Sequence, residues 1–166
     1  MKYVTTLIED TVEELYLKMG IVDPDHSVED IAQRLGIKLH YFRKPPFVSR
    51  GCIYLDPAIP RKKRKEVFSH ELEHILFHSG VQLFMTESFR RMQEWQANNF
   101  ALHFAVPTFM LRELVLRERN QAIDTIATTF HVTHNFAAKR LNHYEKQIQG
   151  LILHEKISSK VKNYYA

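Results

Sequence analysis

A single cysteine, Cys52, excludes an internal disulfide, so packing and any bound ligand must hold this 166-residue chain together. Five glycines and six prolines exclude collagen-like or low-complexity organisation. Long apolar runs are also missing: Phe100 to Val106 is interrupted by His103 and stopped by Pro107, far short of the roughly 20 residues that cross a bilayer. Met1 to Asp10 has no apolar stretch of the signal-peptide kind, so a cytoplasmic protein without membrane attachment is expected. What remains, 45% hydrophobic and 25% charged residues, is the composition of a soluble globular domain.

Lysine and arginine (23) exceed aspartate and glutamate (19), a net charge of +4 that nucleic-acid binders share with many other proteins. Charge alone selects no function. Histidine is the enriched side chain, ten in all, and none serves metal binding and proton transfer near neutral pH better.

The pattern along the chain predicts an α+β fold, mostly helical, in one domain with a small antiparallel sheet. Thr6 and Glu9 form a capping-box pair, and Ile8, Val12, Leu15 and Met19 follow at helical spacing until Gly20. Ser27 caps a second helix whose stripe, Val28, Ile31, Ala32 and Leu35, ends at Gly36. Ile37 to Phe42 and Gly51 to Leu55 read as strands. From Pro60 a helix is predicted through His78, with Gly80 just beyond it, then a long helix from about Ser88 to Ala105 and another over Thr108 to Glu118. Asn120 and Thr133 cap two more, and a loosely held tail is expected from Ile157. The division expected is a core over residues 1–118 and a C-terminal helical extension, 119–166, packed on it.

The chemistry lies in His70-Glu71-Leu72-Glu73-His74, an HExxH sequence in the middle of a predicted helix. Residues four apart face the same way, so both imidazoles can reach one zinc ion at about 2.0–2.1 Å. Glu71 lies about 60° further round the helix, suited to act as a base on a water. His78 continues the spacing, but a straight helix puts it about 12 Å from His70, too far for one ion. A packing or supporting role is the expectation for it. The third ligand expected is Glu94, with Glu87 the alternative, because Glu94, Ala97, Asn98 and Ala101 recur on one face and small residues let two helices approach. Zinc held by two imidazoles and one carboxylate keeps a fourth position open, the arrangement of a hydrolase.

HExxH followed by Glu94-Trp95-Gln96-Ala97-Asn98-Asn99-Phe100-Ala101 and closed by Pro107 resembles the ImmA/IrrE family of metallopeptidases. The resemblance extends more loosely from Gly51 to Thr133. It implies a gluzincin-like fold, one zinc ion held by His70, His74 and Glu94, and Glu71 as catalytic base. It also implies a protein substrate, a helix-turn-helix repressor of a prophage or mobile element whose cleavage relieves repression. The chain departs from the family at Glu73, where glycine is usual, and in the basic run Arg61-Lys62-Lys63-Arg64-Lys65. Glu73 is harmless if it faces solvent and disturbs the metal geometry if it faces the partner helix.

Weaker signals remain. The basic run reads as a solvated face or as a contact for an acidic protein surface or nucleic acid. Tyr54, on the strand before the HExxH helix, is a candidate to flank an extended substrate. The last two helices have the outline of a helix-turn-helix that would offer His134, Asn135, Lys139 and Arg140 to bases, which supplies the alternative of a DNA-binding regulator with a structural or vestigial metal site.

Overall fold

A computed structural model describes residues 3–78 and 85–164, with side chains as far as Lys160. Gly80, the expected stop of the HExxH helix, lies outside the described residues. Among the described residues seven helices and three strands follow in order: α1 (Leu7–Met19), α2 (Val28–Arg34), β1 (Lys38–Tyr41), β2 (Phe47–Ser49), β3 (Cys52–Leu55), α3 (Arg61–Phe77), α4 (Glu87–Ala105), α5 (Thr108–Leu111), α6 (Arg119–Thr129) and α7 (His134–Tyr164).

The local signals explain the helix ends. The Glu9 carboxylate accepts the Thr6 backbone N–H at 2.7 Å, closing the capping box of α1, and Gly20 ends that helix in the left-handed region at φ 67°. Ser27 accepts the Asp30 N–H at 3.1 Å at the start of α2. The turn between α6 and α7 has no glycine. His131 takes the left-handed position itself, at φ 55°, while Val132 N–H closes back on the Ala127 carbonyl at 3.1 Å.

The sheet is mixed, not antiparallel. Its order is β1-β3-β2, with β1 parallel to β3 and β2 antiparallel to it. The difference is due to β2, which follows Pro45-Pro46 and is only three residues long. It forms a tight hairpin with β3 through Arg50 and Gly51, both at positive φ, a two-residue turn of the type that matches strand twist. With one side of β3 taken by β2, β1 pairs on the other side, and the short link 42–46 puts the end of β1 at the same end of β3 as the start of β2, so β1 runs parallel to β3. Ile53 and Leu55 are fully buried and join Phe68 and Leu72 of α3 in the core. Alternation therefore sends Tyr54 to the opposite face.

One further expectation is corrected. The helix predicted over Thr108 to Glu118 is only the single turn of α5, because Leu114 and Leu116 pack on the core while Val115 between them is 77% exposed, the alternation of extended chain. The tail from Ile157 continues α7 to Tyr164, with Ile157, Ser159 and Lys160 exposed. The core cluster runs from Val12 through Phe68, Phe100, Phe104 and Ile126 to Leu141, so α6 and the first half of α7 share it with the HExxH helix. Among the described residues no helix is long and apolar enough to cross a membrane.

Candidate metal centre

α3 and α4 pack against each other, and Ala97 and Ala101, on the α4 face that carries Glu94, are buried. The packing brings three donors together. Nε2 atoms of His70 and His74 lie 3.3 Å apart, Glu94 Oε2 is 3.2 Å from His70 Nε2, and Glu94 Oε1 is 3.6 Å from His74 Nε2. A tetrahedral ion with bonds of 2.0–2.1 Å needs ligand-to-ligand edges of roughly 3.3–3.4 Å, so the three donors fit zinc in both type and separation. Glu87, the alternative third ligand, instead pairs with Arg91 on the exposed first turns of α4.

Glu71 is buried beside this group, and desolvation together with the Glu94 charge pushes its carboxyl up to about 7. A carboxyl balanced near neutrality can both take and return a proton. Burial, with a smaller effect from the charge of His70, pulls the His74 imidazole below its ordinary value and keeps it neutral, the state in which it can be a ligand.

His78 reaches the site by leaving the helix. It is the C-cap of α3, in extended conformation, so its ring folds back instead of standing two turns from His70. Its Nε2 lies 3.1 Å from Gln96 Oε1 and its Nδ1 lies 2.9 Å from His74 Nδ1. With Nε2–H donating to Gln96, Nδ1 accepts from His74 Nδ1–H, which leaves the His74 Nε2 lone pair directed at the ligand group. Glu73 turns inward, with Oε2 3.0 Å from His78 Nδ1 and 3.7 Å from His74 Nδ1. That oxygen is buried and has no aligned hydrogen bond among the described residues, and burial and the Glu94 charge push its carboxyl up to about 7. So Glu73 faces the histidine pair and leaves the α3–α4 contact intact. Gln96 and the inward turn of Glu73 escaped the sequence reading. Only the regular His70, His74, His78 spacing pointed towards them, because the extended turn of His78 at the helix end is not written in that spacing.

Asn98, one turn beyond Glu94, lines a cleft of about 480 Å³ with His70, Val67, Leu102, Phe136 and Lys139. Tyr54 is not among the residues gathered at the ligand group. It stacks on Phe47 at 4.5 Å and on His40 at 5.2 Å, a three-ring row across the outer face of the sheet. Of the four side chains expected to offer themselves to bases, Arg140 is unavailable: it is fully buried, donating to the Val106 carbonyl at 3.1 Å and to Thr108 Oγ1 at 2.6 Å. The start of α7 is tied down as well, since Glu66 on α3 accepts the Thr133 N–H at 2.6 Å.

Comparison with known proteins gives the family. The chain is 38% identical over 157 residues to the phage-like element PBSX protein XkdA of Bacillus subtilis (strain 168), covering 91% of this chain and 79% of that one. It is 35% identical over 154 residues to the uncharacterized protein YqaB of the same strain, covering 89% and 90%. Residues 26–142, which hold the sheet, the HExxH helix, Glu94 and the first turns of α7, match the profile of the IrrE N-terminal-like domain. The chain therefore belongs to peptidase family M78, the ImmA/IrrE family of metallopeptidases.

Proposed function

We propose that this protein is a zinc-dependent endopeptidase that cuts a protein regulator, a helix-turn-helix repressor of a prophage or mobile element, and so relieves repression in the cytoplasm. The observation that carries the reading is the meeting of His70, His74 and Glu94 at tetrahedral spacing beside a buried Glu71. Membership of the family supports the reaction class. A relative named as a phage-element protein supports the setting.

His70 Nε2, His74 Nε2 and a Glu94 oxygen would hold one zinc ion. Bound there, zinc supplies Lewis acidity, which makes a water more acidic and a peptide carbonyl more electrophilic. Glu71, buried beside the ligand group, accepts a proton from the attacking water and delivers it to the amine nitrogen as the C–N bond breaks. The His78–Gln96 chain fixes the ring and tautomer of His74. Asn98, in the cleft wall beside His70, is placed to bond the backbone of a bound peptide.

The test is cleavage of repressors encoded in the same mobile elements by the zinc-loaded protein. Wild type is expected to give one defined cut, and Glu71→Gln to slow it by about 100-fold or more while still binding zinc. Undiminished zinc-dependent cleavage by Glu71→Gln sinks the assignment of the base. Full zinc occupancy in Glu94→Ala sinks the third ligand.

A further inference from the structure

Charge is distributed unevenly along this chain. Between Lys38 and Lys65 it carries nine of its 23 lysines and arginines and one of its 19 aspartates and glutamates, so the remainder is net acidic. The fold gathers much of that charge at one end of the sheet. β1 ends at Tyr41, β2 begins at Phe47, and β3 ends at Leu55. Arg43 and Lys44 therefore sit beside the chain that enters α3 at Arg61. Arg64 ties the two together, donating to the Ile59 and Pro57 carbonyls while its guanidinium lies 5.3 Å over the Tyr41 ring. Lys65 is buried against the Pro24 carbonyl. With those two engaged in structure, Arg43, Lys44, Arg61, Lys62 and Lys63 remain exposed. Asp56 is occupied in capping the Ala58 N–H, and Glu29 accepts from the Tyr41 hydroxyl.

Two features select the kind of polyanion. Each of these aromatic rings already has a partner on one face, which leaves a nucleobase at most the other: Arg64 lies over Tyr41, Lys44 over Phe42 at 5.4 Å, and Phe47 stacks on Tyr54. The outer edge of β2, by contrast, is unpaired among the described residues. Ser49 and Cys52 close the hairpin, so alternation turns the Val48 N–H and C=O outward, spaced to pair with the C=O and N–H of an added strand.

We propose that this end of the sheet docks an extended acidic polypeptide segment, which pairs along β2 and sets its carboxylates against Arg43, Lys44 and Arg61–Lys63. The docking stands apart from hydrolysis. It rests on the peptidase reading only in taking the segment to be part of the substrate.

The experiment is fluorescence anisotropy on the zinc-free full chain with three labelled probes: an alternating Glu-Val decapeptide, its Gln-Val counterpart, and oligothymidylate of the same charge. The acidic peptide is expected to bind at least tenfold more tightly than the neutral one. It should weaken about tenfold between 50 and 300 mM salt as screening shortens, and about tenfold in Arg43→Gln/Lys44→Gln/Lys62→Gln/Lys63→Gln. Val48→Pro, which removes the outward N–H together with some packing on the core and is checked for folding by circular dichroism, should lose the peptide. Equal binding of the neutral peptide, tighter binding of oligothymidylate, or an unaffected quadruple variant overturns the proposal. Whether the zinc-loaded protein cuts anything is measured separately and bears on the peptidase reading alone.

Discussion

Glu73, His78 and Gln96 surround the side of His74 that faces away from the ligand group. A ligand histidine is held by what its second nitrogen bonds, and loss of such a partner typically costs 10-fold to 100-fold in metal affinity. His78→Ala is therefore expected to weaken zinc binding by that factor, read by competition with a chromophoric chelator. Gln96→Ala should give a smaller loss, because Gln96 touches His78 and not His74. Glu73 makes a different contribution. Its buried Oε2 has no aligned donor, so Glu73→Gln should change affinity less than His78→Ala. An equal or larger loss in Glu73→Gln would mean that the carboxylate, and not the His78 ring, orients His74.

Among the elements, the α6–α7 turn shows most clearly what local chemistry leaves unsolved. His131 occupies a left-handed position that costs an ordinary residue roughly 1 kcal/mol and costs glycine nothing. Its imidazole has one exposed contact, with Asp25 at 3.1 Å, which contributes little. His131→Gly is thus expected to raise the free energy of unfolding by up to about 1 kcal/mol in denaturant titrations, the glycine's extra freedom in the unfolded chain holding the gain down. A loss of stability would mean that the Asp25 contact outweighs the backbone strain. The same turn explains what the sequence made legible. Helices with a capping residue and an apolar stripe, such as α1 and α2, were readable from end to end because their signals lie within four residues of one another. The HExxH pair and the small-residue face around Glu94 were readable for the same reason. β2 was not: three residues after Pro45-Pro46, with an Arg-Gly turn, carry no strand pattern. The parallel pairing of β1 with β3 depends on β2 occupying the other side, a fact of tertiary structure. Arg140, which reads as a surface base contact, is buried because Val106 and Thr108, more than thirty residues earlier, supply its acceptors.

At the scale of the whole molecule, α1, the α4–α5 junction and α7 are joined by buried polar groups. Thr108 Oγ1 donates to Glu9 at 2.5 Å and accepts from Arg140, so one hydroxyl links three segments. His103 lies in the same region, donating through Nδ1 to the Asn99 carbonyl at 3.0 Å, with the His143 ring edge-on at 5.0 Å. Burial, and then the Arg140 charge, lower its imidazole to about 4; the Glu9 carboxylate opposes this weakly, and His143 adds to it. The folded state thus binds this proton more weakly than the unfolded chain, whose histidines titrate near 6.5. The stability due to a neutral His103 is complete above that value and is lost as pH falls from about 6.5 towards 4. In zinc-free protein Glu71 and Glu73 act in the opposite sense, since carboxyls raised to about 7 favour the folded state as they become protonated. A single acid titration therefore mixes both effects, whereas a comparison with His103→Gln cancels the carboxyls. Wild type is expected to lose more unfolding free energy than His103→Gln between pH 7.5 and pH 5 in parallel urea titrations, with the variant's Gln side chain still able to reach the Asn99 carbonyl. Parallel pH dependence in the two proteins would show that His103 is protonated as easily folded as unfolded, and that acid sensitivity lies elsewhere in the fold.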